Sequence, residues 1–313
     1  MKKIAFLFPG QGSQSVGMGL DFYQEYDFVR EIFDTAEEVT RLKISELCFK
    51  GPMGDLTKTI NLQPSITAVN LACLAAIEKQ GIKPDISAGH SLGEYSALYA
   101  SGVIPIEDTF RLVFKRGELM HRESTKHKGA MHALIGLSIE TVQKLIDNIQ
   151  TKGVVSVANH NAEHQIVITG SPGSVKELAS IAASHKARAI PLKVSGAWHS
   201  ELMKGAVKEF EEFLGTVSFN NPECSIAHNV TGDFNNGLDE IRAIMAKQLY
   251  NPVRWHDSMC RIVEKKVDIF VEIGPGRVLS GLLKKILPKN LHCKIYNVNN
   301  LKSFEQFCKA VST

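Results

Sequence analysis

The chain has 313 residues, 44% of them apolar, with 36 Lys and Arg against 33 Asp and Glu and a formal charge of +3. That is enough apolar material for a large core, as one big domain or a domain with an insertion; the small net charge argues against a nucleic-acid partner but does not repel an acidic protein. Its six cysteines, Cys48, Cys73, Cys224, Cys260, Cys293 and Cys308, include no C-x-x-C pair, which fits free thiols in a reducing cytoplasm.

The first residues, Met1-Lys2-Lys3-Ile4-Ala5-Phe6-Leu7-Phe8, imitate a secretion signal, but the apolar run stops at Pro9-Gly10, too early for an h-region, and reads as a buried strand. No run approaches the roughly 18 apolar residues of a membrane span, so no membrane partner is expected. A glycine-rich loop follows from Gly10 to Gly19. It fails as a Walker A loop, because Met18 stands where Lys is needed, and as a dinucleotide fingerprint, because Ser15 stands where the third glycine is needed. Helical patterns cover residues 21–40 and Pro64 to Gln80, the second apolar on nearly every side and therefore expected at the centre of the core.

Pro84 to Ala88 then reads as a strand and Leu92 to Ala100 as a helix that Gly102 can end. Between them stands Gly89-His90-Ser91-Leu92-Gly93, a G-x-S-x-G in the strand-turn-helix setting of a nucleophile elbow. Such a turn needs glycine at both flanks because its backbone segments approach too closely for side chains. It projects the serine hydroxyl toward a carbonyl, and helix N–H groups face the oxyanion. The bland reading is a tight strand-to-helix turn with no chemistry.

A long helix follows from Ile106 to Glu123. Residues 126–194 form a compact unit in the order strand (Ala130 to Leu137), helix (Ile139 to Gln150), strand (Val154 to Ala158), strand (Gln165 to Thr169), helix (Pro172 to His185), strand (Arg188 to Val194). That βαββαβ order is ferredoxin-like and would form one wall of a cleft beside the elbow. Strand 267–273, turn Gly274-Pro275-Gly276, helix Val278 to Ile286, strand Ile295 to Val298 and a final helix complete the chain. The expected fold is α/β: an α/β-hydrolase-like large domain with a mostly parallel sheet, residues 1–125 and 195–313, carrying the ferredoxin-like insert 126–194.

A neutral serine needs a base, normally histidine. Among eleven histidines, His199 lies in the small-residue loop Val194-Ser195-Gly196-Ala197-Trp198-His199-Ser200, where the chain returns from the insert to the main sheet. A surface or capping histidine fits the local sequence equally. Arg116 lies on the apolar face of its helix with Leu112, Val113, Leu119 and Met120. It reads either as a snorkelling side chain or as a fork for a carboxylate in the cleft. His160-Asn161-Ala162-Glu163-His164 matches the H-x-x-E-H metal signature, but it joins two β-patterned runs and lacks the helix such ligands need. A hairpin loop with solvated histidines, and no metal, is expected.

Five motifs in order, Phe8-Pro9-Gly10-Gln11-Gly12-Ser13-Gln14, Gly89-His90-Ser91-Leu92-Gly93-Glu94, Gly196-Ala197-Trp198-His199, Gln248-Leu249-Tyr250-Asn251-Pro252-Val253-Arg254-Trp255 and Glu272-Ile273-Gly274-Pro275-Gly276, span a chain that resembles the malonyl-CoA:acyl carrier protein transacylases. The resemblance implies Ser91 as nucleophile and His199 as general base and acid. It also implies Gln11 and the Leu92 backbone as oxyanion hole, Arg116 on the malonyl carboxylate, and the Gln248 carbonyl orienting His199 in place of an acidic third member. The implied partners are malonyl-CoA, CoA and the phosphopantetheine of acyl carrier protein, with no cofactor. Leu92 and Trp198 resemble the pattern of malonyl-selective relatives, so methylmalonyl should be poor, although Trp198 replaces the more usual Phe. Lys186, Lys193, Lys284 and Lys285 are docking charges for the carrier or solvated surface residues. A serine esterase or thioesterase would use the same dyad, distinguished by water as acceptor; a non-catalytic acyl- or CoA-binding module would need no base.

Overall fold

The computed structural model describes residues 2–150, 152–288 and 290–311. Its strands are β1 (Ile4–Phe8), β2 (Ile86–Gly89), β3 (Ala130–Ile135), β4 (Val155–Ala162), β5 (Gln165–Gly170), β6 (Arg188–Pro191), β7 (Ser225–Ala227), β8 (Ile269–Ile273) and β9 (Lys294–Val298). Five of them make a sheet in the order β7-β2-β1-β8-β9, with every pairing parallel. Parallel strands need helical crossovers, which cover both faces of the sheet. Side-chain alternation divides those faces: Ile4, Phe6 and Phe8 join one apolar cluster, Ala5 and Leu7 the other.

The helix Thr59–Glu78 lies within the larger cluster, with every residue from Leu62 to Leu74 buried. It starts one turn and a half before the expected Pro64, because tertiary burial of the whole helix outweighs the hydrogen bond that proline removes. Among the described residues this helix is long enough, and apolar enough on average, to cross a bilayer, although polar residues such as Asn61, Gln63 and Asn70 interrupt its apolar runs; 83% of its apolar window is buried inside the protein.

The other four strands form a separate antiparallel sheet in the order β4-β5-β3-β6. One face, with Leu134, Ile166 and Ile168, packs on the helices Ile139–Asn148 and Pro172–Ser184 as a small core. Residues Met131, Ala133, Ala158 and Val167 instead join the large cluster, so this sheet leans on the main body. β4 runs through Ala162, so His160 and Asn161 belong to a strand and are buried, where a solvated loop was expected. Backbone bonds weld this strand to the main body: Val253 N–H donates to Ala158 (2.8 Å) and His160 N–H to Val253 (2.9 Å).

Candidate active site

Two close approaches build the elbow. A Cβ on Gly89 would stand 2.0 Å from the Gly93 carbonyl, and a Cβ on Gly93 would stand 2.0 Å from the Phe8 carbonyl oxygen. Both glycines are therefore required for β2 and the helix Gly93–Ala100 to pack this tightly against β1. Between them Ser91 has φ of 52°, left-handed backbone that a side-chain-bearing residue rarely adopts and that costs about 1–3 kcal/mol. Asn229, just beyond β7, holds the strained turn: its Oδ1 accepts from Ser91 N–H (2.6 Å) and its Nδ2 donates to the Gly89 carbonyl (2.6 Å).

His199 also has positive φ, 59°, in the loop leaving the antiparallel sheet. It is 3% exposed. Its Nδ1 faces the carbonyls of Gln248 (2.9 Å) and Asn251 (3.0 Å) and so must donate. Nε2 is thereby left unprotonated, 2.8 Å from Ser91 Oγ, as the acceptor for the hydroxyl proton. Burial, reinforced by the nearby Arg116 charge, pushes His199 down to about 3. At neutral pH the imidazole is neutral, the state a general base requires.

Arg116, 2% exposed, does not snorkel. Nη1 donates to Gln63 Oε1 (2.8 Å), Nε to Gln248 Oε1 (3.2 Å) and Nη2 to Ser91 Oγ (3.2 Å). The guanidinium lies 5.6 Å from the centre of the Tyr95 ring. Burial lowers its pKa, opposed by Tyr95 and Glu94 beside it, yet arginine keeps its charge. Among the described residues no carboxylate hydrogen-bonds to Arg116; Glu94 acts on it through space, and the buried cation reaches Ser91 Oγ with neutral hydrogen-bond partners.

Gln248 does more than lend its carbonyl. Its Nε2 donates to the Ser91 carbonyl (2.9 Å) and to Glu94, and Glu94 Oε1 in turn meets His228 Nδ1 (2.9 Å) and accepts from Asn229 N–H (3.3 Å). Ser91, Arg116, Glu94 and Asn229 are thus joined through one buried polar network beneath the elbow. Gln11 and Leu92 line the cleft above Ser91 with His90, Arg116, Trp198 and His199. Leu92 precedes the first turn of its helix, so its N–H has no upstream helical carbonyl. Met131, Asn159, Leu192 and Val194 from the antiparallel-sheet unit line the far side of the cleft.

The structure brings together all six residues singled out by sequence: Ser91, His199, Gln11, Leu92, Gln248 and Arg116. Sequence reasoning missed Gln63, Tyr95, Asn229, Asn251 and the Glu94–His228 pair. A polar residue inside an otherwise apolar helix was the available signal for Gln63, and Glu94 and Asn251 stood inside quoted motifs. Asn229 carried no local signal.

The family model of the acyl transferase domain matches residues 5–304. The malonyl CoA-acyl carrier protein transacylase of Bacillus subtilis (strain 168) is 42% identical over 288 residues, 91% of each chain. Among solved structures, a malonyl CoA-acyl carrier protein transacylase from Clostridium perfringens is 37% identical with a TM-score of 0.93, covering 99% of this chain and 97% of that one. A malonyl-transacylase in complex with its type II PKS acyl-carrier protein is 35% identical with a TM-score of 0.94, covering 98% and 99%. The chain belongs to the acyl transferase family and, within it, to the malonyl CoA-acyl carrier protein transacylases.

Proposed function

We propose that the protein moves the malonyl group from malonyl-CoA to the phosphopantetheine thiol of acyl carrier protein, supplying fatty acid elongation. The observation that carries this reading is a buried Arg116, with no carboxylate among its hydrogen-bond partners, 3.2 Å from the Ser91 hydroxyl that His199 is set to deprotonate. A carboxylate two bonds beyond the reacting carbonyl gives the guanidinium a charged partner while the thioester carbon meets Oγ.

In the first half-reaction Ser91 Oγ attacks the thioester carbon and its proton passes to His199 Nε2. The tetrahedral oxyanion is received by the Leu92 N–H and Gln11; as it collapses, the C–S bond breaks and His199 returns the proton to the departing CoA thiolate. Malonyl-Ser91 ester remains. In the second half the carrier thiol gives its proton to His199, attacks the ester carbonyl, and Ser91 leaves with the proton returned. The Nδ1 bonds to two carbonyls keep the ring in one tautomer throughout, replacing an acidic triad member by a dyad. No cofactor enters either step.

The architecture around this chemistry reads as an α/β-hydrolase-like unit, residues 1–125 and 195–313, with a ferredoxin-like insert at 126–194. Strand order β4-β5-β3-β6 with a helix after β3 and another after β5 supports the second description. The free thiols of Cys48, Cys73, Cys224, Cys260 and Cys293 fit a cytoplasmic setting. Two-substrate initial rates test the mechanism. Varying malonyl-CoA at several fixed carrier concentrations should give parallel double-reciprocal lines; converging lines would exclude the acyl-enzyme, and CoA release independent of the carrier would indicate a thioesterase.

A further inference from the structure

Outside the cleft, three donors from two elements converge where β4 meets the helix Trp255–Glu264, with a cysteine sulfur beside one of them. His160 comes from β4; His256, Asp257 and Cys260 come from the helix, with His256 and Cys260 one turn apart on one face. His160 Nδ1 and His256 Nδ1 stand 3.7 and 3.6 Å from the same Asp257 Oδ1, and ligand atoms of these three residues lie within 4.8 Å of one another. The Cys260 sulfur is 3.9 Å from His256 Nε2 and 4.0 Å from Nδ1. Tetrahedral coordination with bonds of about 2.0–2.3 Å sets donors roughly 3.3–3.6 Å apart, close to the spacing of Asp257 Oδ1 from each histidine; Cys260 completes the set only after its sulfur turns from His256 toward the ion.

A second observation is independent of these distances. His160 is 9% exposed, yet its Nε2 has no hydrogen-bond partner and its Nδ1 is beyond hydrogen-bonding distance of Asp257. A buried polar atom left unpaired costs about 1–3 kcal/mol, and no hydrogen bond made by the ring accounts for its burial. Asp257 is already oriented: Arg254 Nε donates to Oδ2 at 2.7 Å, leaving Oδ1 toward the histidines, the outer-shell arrangement that fixes a ligand. A surface pocket lined by Arg254, Asp257, Cys260 and Arg261 offers an entry path.

We propose that His160, His256, Asp257 and Cys260 form a transition-metal site of the zinc class that pins the antiparallel-sheet unit to the main body beside the catalytic cleft. Imidazole and thiolate donors select zinc-like ions over magnesium or calcium. The H-x-x-E-H motif contributes only its first histidine, since Glu163 and His164 are exposed at the hairpin turn. The site continues the backbone weld between Val253 and β4. Neighbours of its ligands reach the elbow: Asn161 Oδ1 bonds His90 Nε2 (2.8 Å), and Trp255 packs edge-on against the His90 ring at 5.4 Å.

The test is titration of the chelator-treated full chain with Co²⁺, followed by Zn²⁺. One equivalent of Co²⁺ should give the intense visible bands of a tetrahedral ion with a near-ultraviolet thiolate band, and Zn²⁺ should displace it and raise Tm. His160→Gln should weaken Co²⁺ binding at least tenfold and abolish the Zn²⁺-dependent rise in Tm. Cys260→Ser, at a half-buried position, should remove the thiolate band and keeps the test readable if His160→Gln fails to fold. A wild-type spectrum of octahedral Co²⁺ only, or a tetrahedral spectrum unchanged in both variants, would overturn the proposal.

Discussion

At Ser91 the hydroxyl has two neighbours that pull differently: His199 Nε2 is placed to accept its proton, while Arg116 Nη2 donates to its oxygen. The Arg116 charge also contributes to holding His199 at about 3, second to burial. On the proposed mechanism a malonyl carboxylate on Arg116 would neutralise that charge, and His199 would become a stronger base when the correct acyl group is bound. The sign follows directly: the neutral imidazole is active, and a lowered pKa keeps it neutral below the ordinary value of about 6.5. Single-turnover acylation should therefore keep its second-order rate well below pH 6.5, while the acid limb at saturating malonyl-CoA lies at higher pH. Coincident limbs near 6.5 would contradict both parts. Arg116→Ala should lower malonyl transfer by roughly 10- to 150-fold, the worth of one charge-assisted interaction of about 1.5–3 kcal/mol. The malonyl-to-acetyl ratio should narrow with it; an unchanged ratio would remove Arg116 from acyl selection. Ser91 was marked by its G-x-S-x-G turn, whereas His199 and Arg116 were ambiguous locally and gained their candidate roles from the motifs' order along the chain. Gln63 and Asn229 were not legible, since each matters only through a contact made across 53 or 138 residues of sequence.

On the scale of elements, the elbow depends on β1, β2 and the helix Gly93–Ala100 meeting without side chains between them. Gly93→Ala places a methyl against backbone that no rotamer change can move, and overpacking of this kind costs about 1–3 kcal/mol even where the surroundings relax. Tm should fall by roughly 2–5 °C, whereas Gly173→Ala, with open space at its Cβ on another helix, should leave Tm unchanged or slightly raised. Equal Tm values for the two variants would refute the packing argument. Strands β1, β2 and β8 were legible as apolar runs because both faces of the parallel sheet are covered. β7 has only three residues and offers no pattern, and the helices Ile44–Lys50, Val207–Leu214 and Leu238–Lys247 were not assigned. Pro64 and the end of β4 were misplaced for one reason: tertiary burial extended each element past a local stop signal.

Across the whole molecule, the cleft is made by two sheets with different packing partners. The parallel sheet supplies the elbow and, through the loops after β7 and near Gln248, its polar supports; the antiparallel unit supplies Met131, Asn159, Leu192 and Val194 as the opposite wall. The alternation of strands and helices made both sheets legible, but their mutual placement rests on contacts such as that of β4 with Val253, which no local pattern announces. The most direct measurement is intact-protein mass after mixing with malonyl-CoA alone, beside Ser91→Ala, followed by phosphopantetheinylated acyl carrier protein. The account predicts one malonyl adduct that is absent from Ser91→Ala and moves to the carrier when it is added. An adduct on Ser91→Ala, or one lost to water with none reaching the carrier, would contradict it.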